Sequence, residues 1–199
     1  MAPRSTADRI LKAARTLFER EGATAVSMRR VADVAGITPM AIYRHFPNRE
    51  AMLTRIGDDS FEEIARHWNA RKTGGDPLAR LMSLQRIYLD YALAHPHLFD
   101  HAFSTRRKDA RRYPEDFRHG RSRTLNAVHE VVLEAQQARL LRAGDPWDMA
   151  MTLWAHSHGL IALYRAGRFS YDDHQFRVFY EASLWMVIDG LKAGPGHRD

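Results

Sequence analysis

The sequence predicts an all-α protein, a three-helix unit at the N-terminus followed by a larger helical domain, with about nine helices in total. Three observations carry that expectation. Apolar residues recur at helical spacing, with no sustained period-two alternation bounded by hairpin turns. Thr38-Pro39, Asp76-Pro77 and Asp145-Pro146 each place a capping side chain before a proline at a first helical position. Gly22, Gly36, Gly144, Gly167 and Gly190 stand where glycine closes a helix in the left-handed conformation.

Taken in order, helices are expected near residues 5–21, 28–35, 39–46, 48–72, 77–94, 96–104, 114–143, 146–166 and 171–191. The second has Ser27 as its N-cap and turns Val31, Val34 and Ala35 inward. The third is capped by Thr38, starts at Pro39 and points Ile42 back at the second. The last has the cleanest stripe, with Phe176, Phe179, Tyr180, Leu184, Val187, Ile188 and Leu191 at three- and four-residue spacing. A tail over 193–199, with two glycines and a proline, is expected to be flexible.

Composition narrows the function classes. The chain of 199 residues is 45% apolar and 27% charged, an ordinary globular balance. No run approaches about 18 apolar residues, so no transmembrane helix is expected. Residues 1–20 are charged throughout and hold no apolar signal-peptide core, which makes the expected location cytoplasmic. The absence of cysteine removes disulfide frameworks, zinc fingers, iron–sulfur sites and thiol nucleophiles. The net charge of +6 is uneven. Residues 1–56 hold ten Lys/Arg against five Asp/Glu, and the remainder twenty against nineteen. A basic first quarter on a nearly neutral body fits a polyanion partner at one end or, on charge alone, a solvated basic surface.

The sharpest motif spans 28–47. Ala32, Gly36 and Ile42 stand at i, i+4 and i+10. A small residue lets two helices approach, glycine supplies the positive φ of a short turn, and an apolar residue plugs the angle. That is the spacing of a helix-turn-helix; two helices so spaced are also open to a merely structural reading, and the surrounding positive charge favours double-stranded DNA.

The run Ile37-Thr38-Pro39-Met40-Ala41-Ile42-Tyr43-Arg44-His45-Phe46-Pro47-Asn48-Arg49-Glu50 closely resembles the recognition segment of TetR-type transcriptional regulators. Upstream, Ile10, Leu11, Ala13, Ala14, Leu17 and Phe18, then Gly22 and Val26-Ser27-Met28, resemble that family's first helix and its lead into the motif. The resemblance covers about residues 5–56 and implies site roles position by position. Arg29 matches a position that reaches a base edge. Pro39, Met40 and Ala41 match the exposed first turn of the recognition helix. Tyr43, His45 and Arg49 match groups that hold phosphates, with Ser27 and Thr38 as further candidates. Since Pro39, Met40 and Ala41 offer no hydrogen-bonding side chain, guanine reading falls to Arg29 and Arg44. Phe46 fits the core of the three-helix unit.

Beyond about residue 50 the resemblance implies a helical domain that binds a small molecule and dimerises through its last two helices. Trp154-x3-His158-Gly159-Leu160, followed by Tyr164 and Gly167, resembles a tryptophan–histidine–glycine subclass of that domain. The dimer candidates are Leu160, Tyr164, Phe176, Tyr180, Leu184, Val187 and Ile188, with packing in the chain's own core as the alternative for the same helices. The candidate cavity residues are Trp68, Tyr88, Tyr91, Phe99, Phe103, Phe117 and Trp154, which would equally fill a core. Arg106, Arg107, Lys108, Arg111, Arg112, Arg118, Arg121 and Arg123 form a basic segment that reads first as a solvated loop; its alternatives are added attraction to DNA or an anionic effector, for which Arg118 and Arg121 are the candidates. His95, His97, His101, His119 and His129 lack tight carboxylate spacing, so no metal or cofactor is expected.

The expected organisation is a DNA reader over 1–50, an effector-binding and dimerisation domain over 51–192, and the tail. The expected function is a homodimeric repressor that binds a palindromic operator and is released by a small molecule. The rival readings are a ligand-independent architectural DNA binder and an enzyme built on the helical body. The sequence holds neither a Gly-x-Ser-x-Gly elbow nor a phosphate loop, so an enzyme is not expected.

Overall fold

A computed structural model describes residues 5–69, 74–104 and 110–194. Among them are ten α-helices: α1 (Thr6–Glu21), α2 (Met28–Ala35), α3 (Pro39–Tyr43), α4 (Arg49–Asn69), α5 (Pro77–Ala94), α6 (Pro96–Phe99), α7 (Glu115–Arg118), α8 (Arg123–Gln137), α9 (Pro146–Arg165) and α10 (Asp173–Leu191). A 3-10 turn (Ala23–Ala25) joins α1 to α2, and a π turn (Asp100–Ser104) extends α6. No strand is present among the described residues. Arg106, Arg107 and Lys108 lie outside them, as does the tail beyond residue 194.

The helix starts follow the caps. The Thr38 hydroxyl accepts from Ala41 N–H, Asp145 from Trp147 N–H, and Asp76 from Leu78 and Ala79 N–H. Four features depart from expectation. The single helix expected over 114–143 is two, because Gly120 has positive φ and Ser122 caps a fresh start. Its C-terminus is set by Arg139 at φ 56°, a non-glycine residue in the left-handed region, with Leu140 N–H bonded to Ala135 O. Gly190 does not close α10 but lies within it, one residue before its end. The third helix stops at Tyr43, and the chain runs on as a tight turn in which the His45 and Phe46 N–H groups both take Ile42 O.

Packing groups the chain into two compact units. The first comprises the described residues of Met1–Glu63 and Tyr91–Lys108, the second those of Ile64–Asp90 and Asp109–Asp199. In the first, α1, α2, α3 and the start of α4 bury Ile10, Ala14, Phe18, Val31, Ala32, Ile42, Phe46, Met52 and Ile56, with Leu98 from α6. Val34, expected inward, is 53% exposed. At about 100° per residue it falls off the edge of the face that Val31, Ala32 and Ala35 share.

In the second unit α8, α9 and α10 pack together around Val128, Val132, Ala150, Leu153, Ile161 and the inner row of α10. Two buried hydroxyls are matched through one glutamine: Tyr180 donates to Gln85 O at 3.0 Å, and Ser157 to Gln85 Oε1 at 2.6 Å. Burial pushes the Tyr180 phenol well above its ordinary pKa. Arg86 forks onto both oxygens of Glu181 at 2.8 and 2.6 Å.

The α10 stripe corrects the expected dimer face. Phe176, Tyr180, Leu184 and Ile188 are fully buried within the single chain, and Tyr164 stacks on Phe176 with centroids 3.9 Å apart. Leu160, Tyr164 and Val187 are half-buried. The cleanest apolar stripe marks the face a helix turns to its own core. A different row faces outward, with Met186 70%, Val178 59% and Leu163 49% exposed. Alanines at 155, 162, 166 and 182 are exposed beside them.

Candidate nucleic-acid interface

The candidate interface is built from α2, a left-handed turn and α3. Ser27 starts α2 by accepting from Arg30 N–H. Gly36, at φ 66° and ψ 42°, ends it with N–H bonds to Ala32 and Asp33 carbonyls, a backbone that a side chain would strain. Ile42 is fully buried, as is Ala32, so the small residue and the plug of the motif meet the core as the spacing requires. Phe46 is buried too and takes a packing role.

With those residues inward, the others are presented to solvent. Pro39, Met40, Tyr43, Arg44 and His45 are exposed on and just after α3, with Ala41 half-exposed, and Arg29 is exposed on α2. The Ser27 and Thr38 oxygens accept as helix caps, which leaves each hydroxyl proton free to donate. Arg30 is engaged elsewhere, with Nη2 on both oxygens of Glu21 at 2.9 and 3.0 Å, which holds that carboxyl below its usual pKa range. Arg49 is half-buried, and its guanidinium donates to the carbonyls of Val26 and Ala23.

This arrangement can lay a short exposed helix in a major groove, with apolar contacts at its first turn and polar groups flanking them. The family description "Bacterial regulatory proteins, tetR family" matches residues 10–56. A second, "Tetracyclin repressor-like, C-terminal domain", matches residues 81–186. The chain belongs to the tetR family of bacterial regulatory proteins. The family is one of transcriptional regulators, not enzymes.

A curated relative is the HTH-type transcriptional repressor KstR2 of Mycolicibacterium smegmatis, 31% identical over 96 residues. The match covers 48% of this chain and 46% of that protein, so the chain spans about half the length of the relative it matches. Among solved structures, a protein of unknown function from Rhodococcus sp. RHA1 superposes with a TM-score of 0.81 at 23% identity, covering 97% of this chain and 98% of that one. The TetR family transcriptional regulator PfmR from Thermus thermophilus gives 0.66 at 19% identity, covering 96% and 100%. Both likenesses speak to the fold.

The residues proposed from sequence to line a cavity do not fall in one unit. Tyr91, Phe99 and Phe103 lie in the first, Trp68, Tyr88, Phe117 and Trp154 in the second. In the first, Phe103 meets Phe61 at 4.7 Å and Phe99 at 5.0 Å. In the second, Trp154 Nε1 donates to the Tyr88 hydroxyl at 3.0 Å, and that hydroxyl lies 3.0 Å from His158 Nδ1. Burial raises the Tyr88 pKa well above its ordinary value. Trp68 is buried, and its indole N–H has no acceptor among the described residues.

Arg118 and Arg121 are committed to carboxylates of the chain itself. Arg118 Nη2 meets Asp145 at 2.6 Å and Asp148 at 3.7 Å, and Arg121 meets Asp116 at 2.6 Å. The histidines of the 95–129 region are dispersed. His95 faces Glu19 at 3.4 Å, His101 bonds Leu53 O at 3.1 Å, His119 bonds Glu115 O at 2.7 Å, and His129 stacks on Trp147 at 3.9 Å. Among the described residues no three His, Asp or Glu side chains are grouped to hold a metal, and no helix is long and apolar enough to cross a membrane.

Proposed function

We propose that the chain is a one-component repressor that binds a palindromic operator as a homodimer and is released by a small-molecule effector. The exposed row Pro39, Met40, Tyr43, Arg44 and His45, on a helix capped and plugged as a groove reader requires, carries the reading. Tyr43 and His45 serve phosphate oxygens, Met40 and Ala41 meet thymine methyls or groove shape, and Arg29 and Arg44 read guanine. DNA reading is assigned to residues 1–50, and effector binding and dimerisation to 51–192.

Dimerisation through α9 and α10 is supported by their outer face. Leu163, Val178 and Met186 with the flanking alanines form an exposed apolar row that a second copy would cover in a four-helix arrangement. An effector is supported by the unmatched indole N–H of Trp68, since a buried donor without an acceptor is costly and a ligand oxygen would relieve it. The carboxylate pairing of Arg118 and Arg121 argues for an effector recognised by apolar contact and a few hydrogen bonds.

Selection from a pool of random duplexes with the purified protein tests the reading. The expected product is an inverted repeat whose half-sites lie about 34–36 Å apart, or a multiple of that. A pool that gains no sequence preference would favour the architectural binder instead.

A further inference from the structure

We propose that Arg9 and Arg49 are positioning residues that set the attitude of the recognition helix through backbone carbonyls, and that neither contacts DNA; this rests on the operator-binding reading above. Helix α3 has five residues, and Ile42 is its one buried side chain. A helix that short has little stability of its own, so the segments entering and leaving it fix its direction.

Both segments are held by a guanidinium. On the entering side, the Gly36 and Ile37 N–H groups take the carbonyls of Asp33 and Ala32 at the end of α2. The carbonyl of Ala35, the last residue of α2, accepts from Arg9 Nη2 of α1 at 2.7 Å. A cation at the C-terminus of a helix also complements its dipole. On the leaving side, Arg49 is the first residue of α4. Its Nε donates to Val26 O at 2.7 Å and its Nη2 to Ala23 O at 2.6 Å, both in the connection from α1 to α2. The two clamps therefore bracket residues 36–48 and tie both ends of the reading segment to the helices behind it.

This changes the role of Arg49. Two of the five Arg49 N–H donors, Nε–H and one on Nη2, are spent on the protein's own backbone from a half-buried site, which fixes the plane of the guanidinium toward the protein rather than toward a phosphate. A planar fork serves two carbonyls at once; a lysine ammonium on a flexible stem keeps the charge and loses that geometry. Arginine-to-lysine substitutions thus separate geometry from charge.

The test uses full-length wild type, Arg9→Lys, Arg49→Lys and Arg49→Gln, with the duplex the wild type selects and an unrelated duplex of equal length. Affinity is followed against salt, and melting by circular dichroism monitors folding. The clamps predict that both lysine variants lose operator affinity about ten-fold or more, as hydrogen bonds from charged donors are lost. Their affinity for the unrelated duplex should hold, and the salt slope should move by less than about half a unit. If Arg49→Lys keeps operator affinity while Arg49→Gln drops the slope by about one unit on both duplexes, Arg49 is a phosphate contact and the proposal falls. Should Arg49→Gln fail to fold, the lysine pair decides alone. Wild-type discrimination shared by every variant would overturn the clamps only; a wild type that prefers neither duplex would remove the operator reading with them.

Discussion

Helices α2 and α10 both carry apolar residues at helical spacing, but they use them differently. Helix α2 buries Val31, Ala32 and Ala35 on one face, and its neighbours Gly36 and Ile42 turn and plug the angle against α3. Helix α10 buries Phe176, Tyr180, Leu184 and Ile188, and also sets Val178 and Met186 outward. The difference teaches that the strongest stripe reports the chain's own core. On the reading proposed above, the weaker row opposite it is the one that a second copy covers.

Substitutions on the two rows of α10 should therefore part company. Leu184→Glu places a carboxylate at a fully buried position and should cost more than about 4 kcal/mol, seen as insoluble protein or a lost melting transition. Met186→Glu, at a 70% exposed position, should change stability by no more than about 0.5 kcal/mol. In sedimentation the same variant should run as a monomer, with operator affinity down by about 100-fold or more, because two linked readers become one. A folded Met186→Glu dimer would move the interface elsewhere.

Within the reader the comparison sharpens to side chains that touch DNA and side chains that hold the helix. Tyr43→Phe removes one exposed hydroxyl and should weaken binding about five-fold, equally for all sequences. A changed base preference at one operator position in the binding titrations would place Tyr43 on a base edge. The smallest expected effect concerns His156, whose Nε2 lies 2.8 Å from Ser183 Oγ between α9 and α10. Burial lowers its pKa below the ordinary value of 6.5. The unfolded chain then binds a proton more readily, so its contribution to stability is present above pH 6.5 and is lost as pH falls below that value. His156→Gln should flatten the fall in melting temperature between about pH 7 and 5; an unchanged slope would assign that fall to other groups.

Legibility followed the same division. The all-α class, the caps at Thr38, Asp76 and Asp145, and the Ala32–Gly36–Ile42 geometry could be read from sequence, because each depends on residues a few positions apart. What escaped is in part local backbone conformation and in part a matter of distant partners. The break at Gly120 and Ser122 was masked by good helix formers on either side. The end of α8 rests on Arg139 in a conformation usually left to glycine. The outward row of α10 was visible as Val178, Ala182 and Met186 at four-residue spacing, but the longer inner stripe hid it. Arg49 is exposed or clamped depending on where the Ala23 and Val26 carbonyls lie, which no local pattern records.

The central claim is that two copies, joined by the outer face of α9 and α10, present two readers to one operator. Sedimentation velocity of the wild-type protein, alone and on its selected duplex, tests it most directly. The account predicts a dimer at micromolar concentration and two chains per duplex. A stable, well-folded monomer that binds the duplex one chain at a time would contradict it.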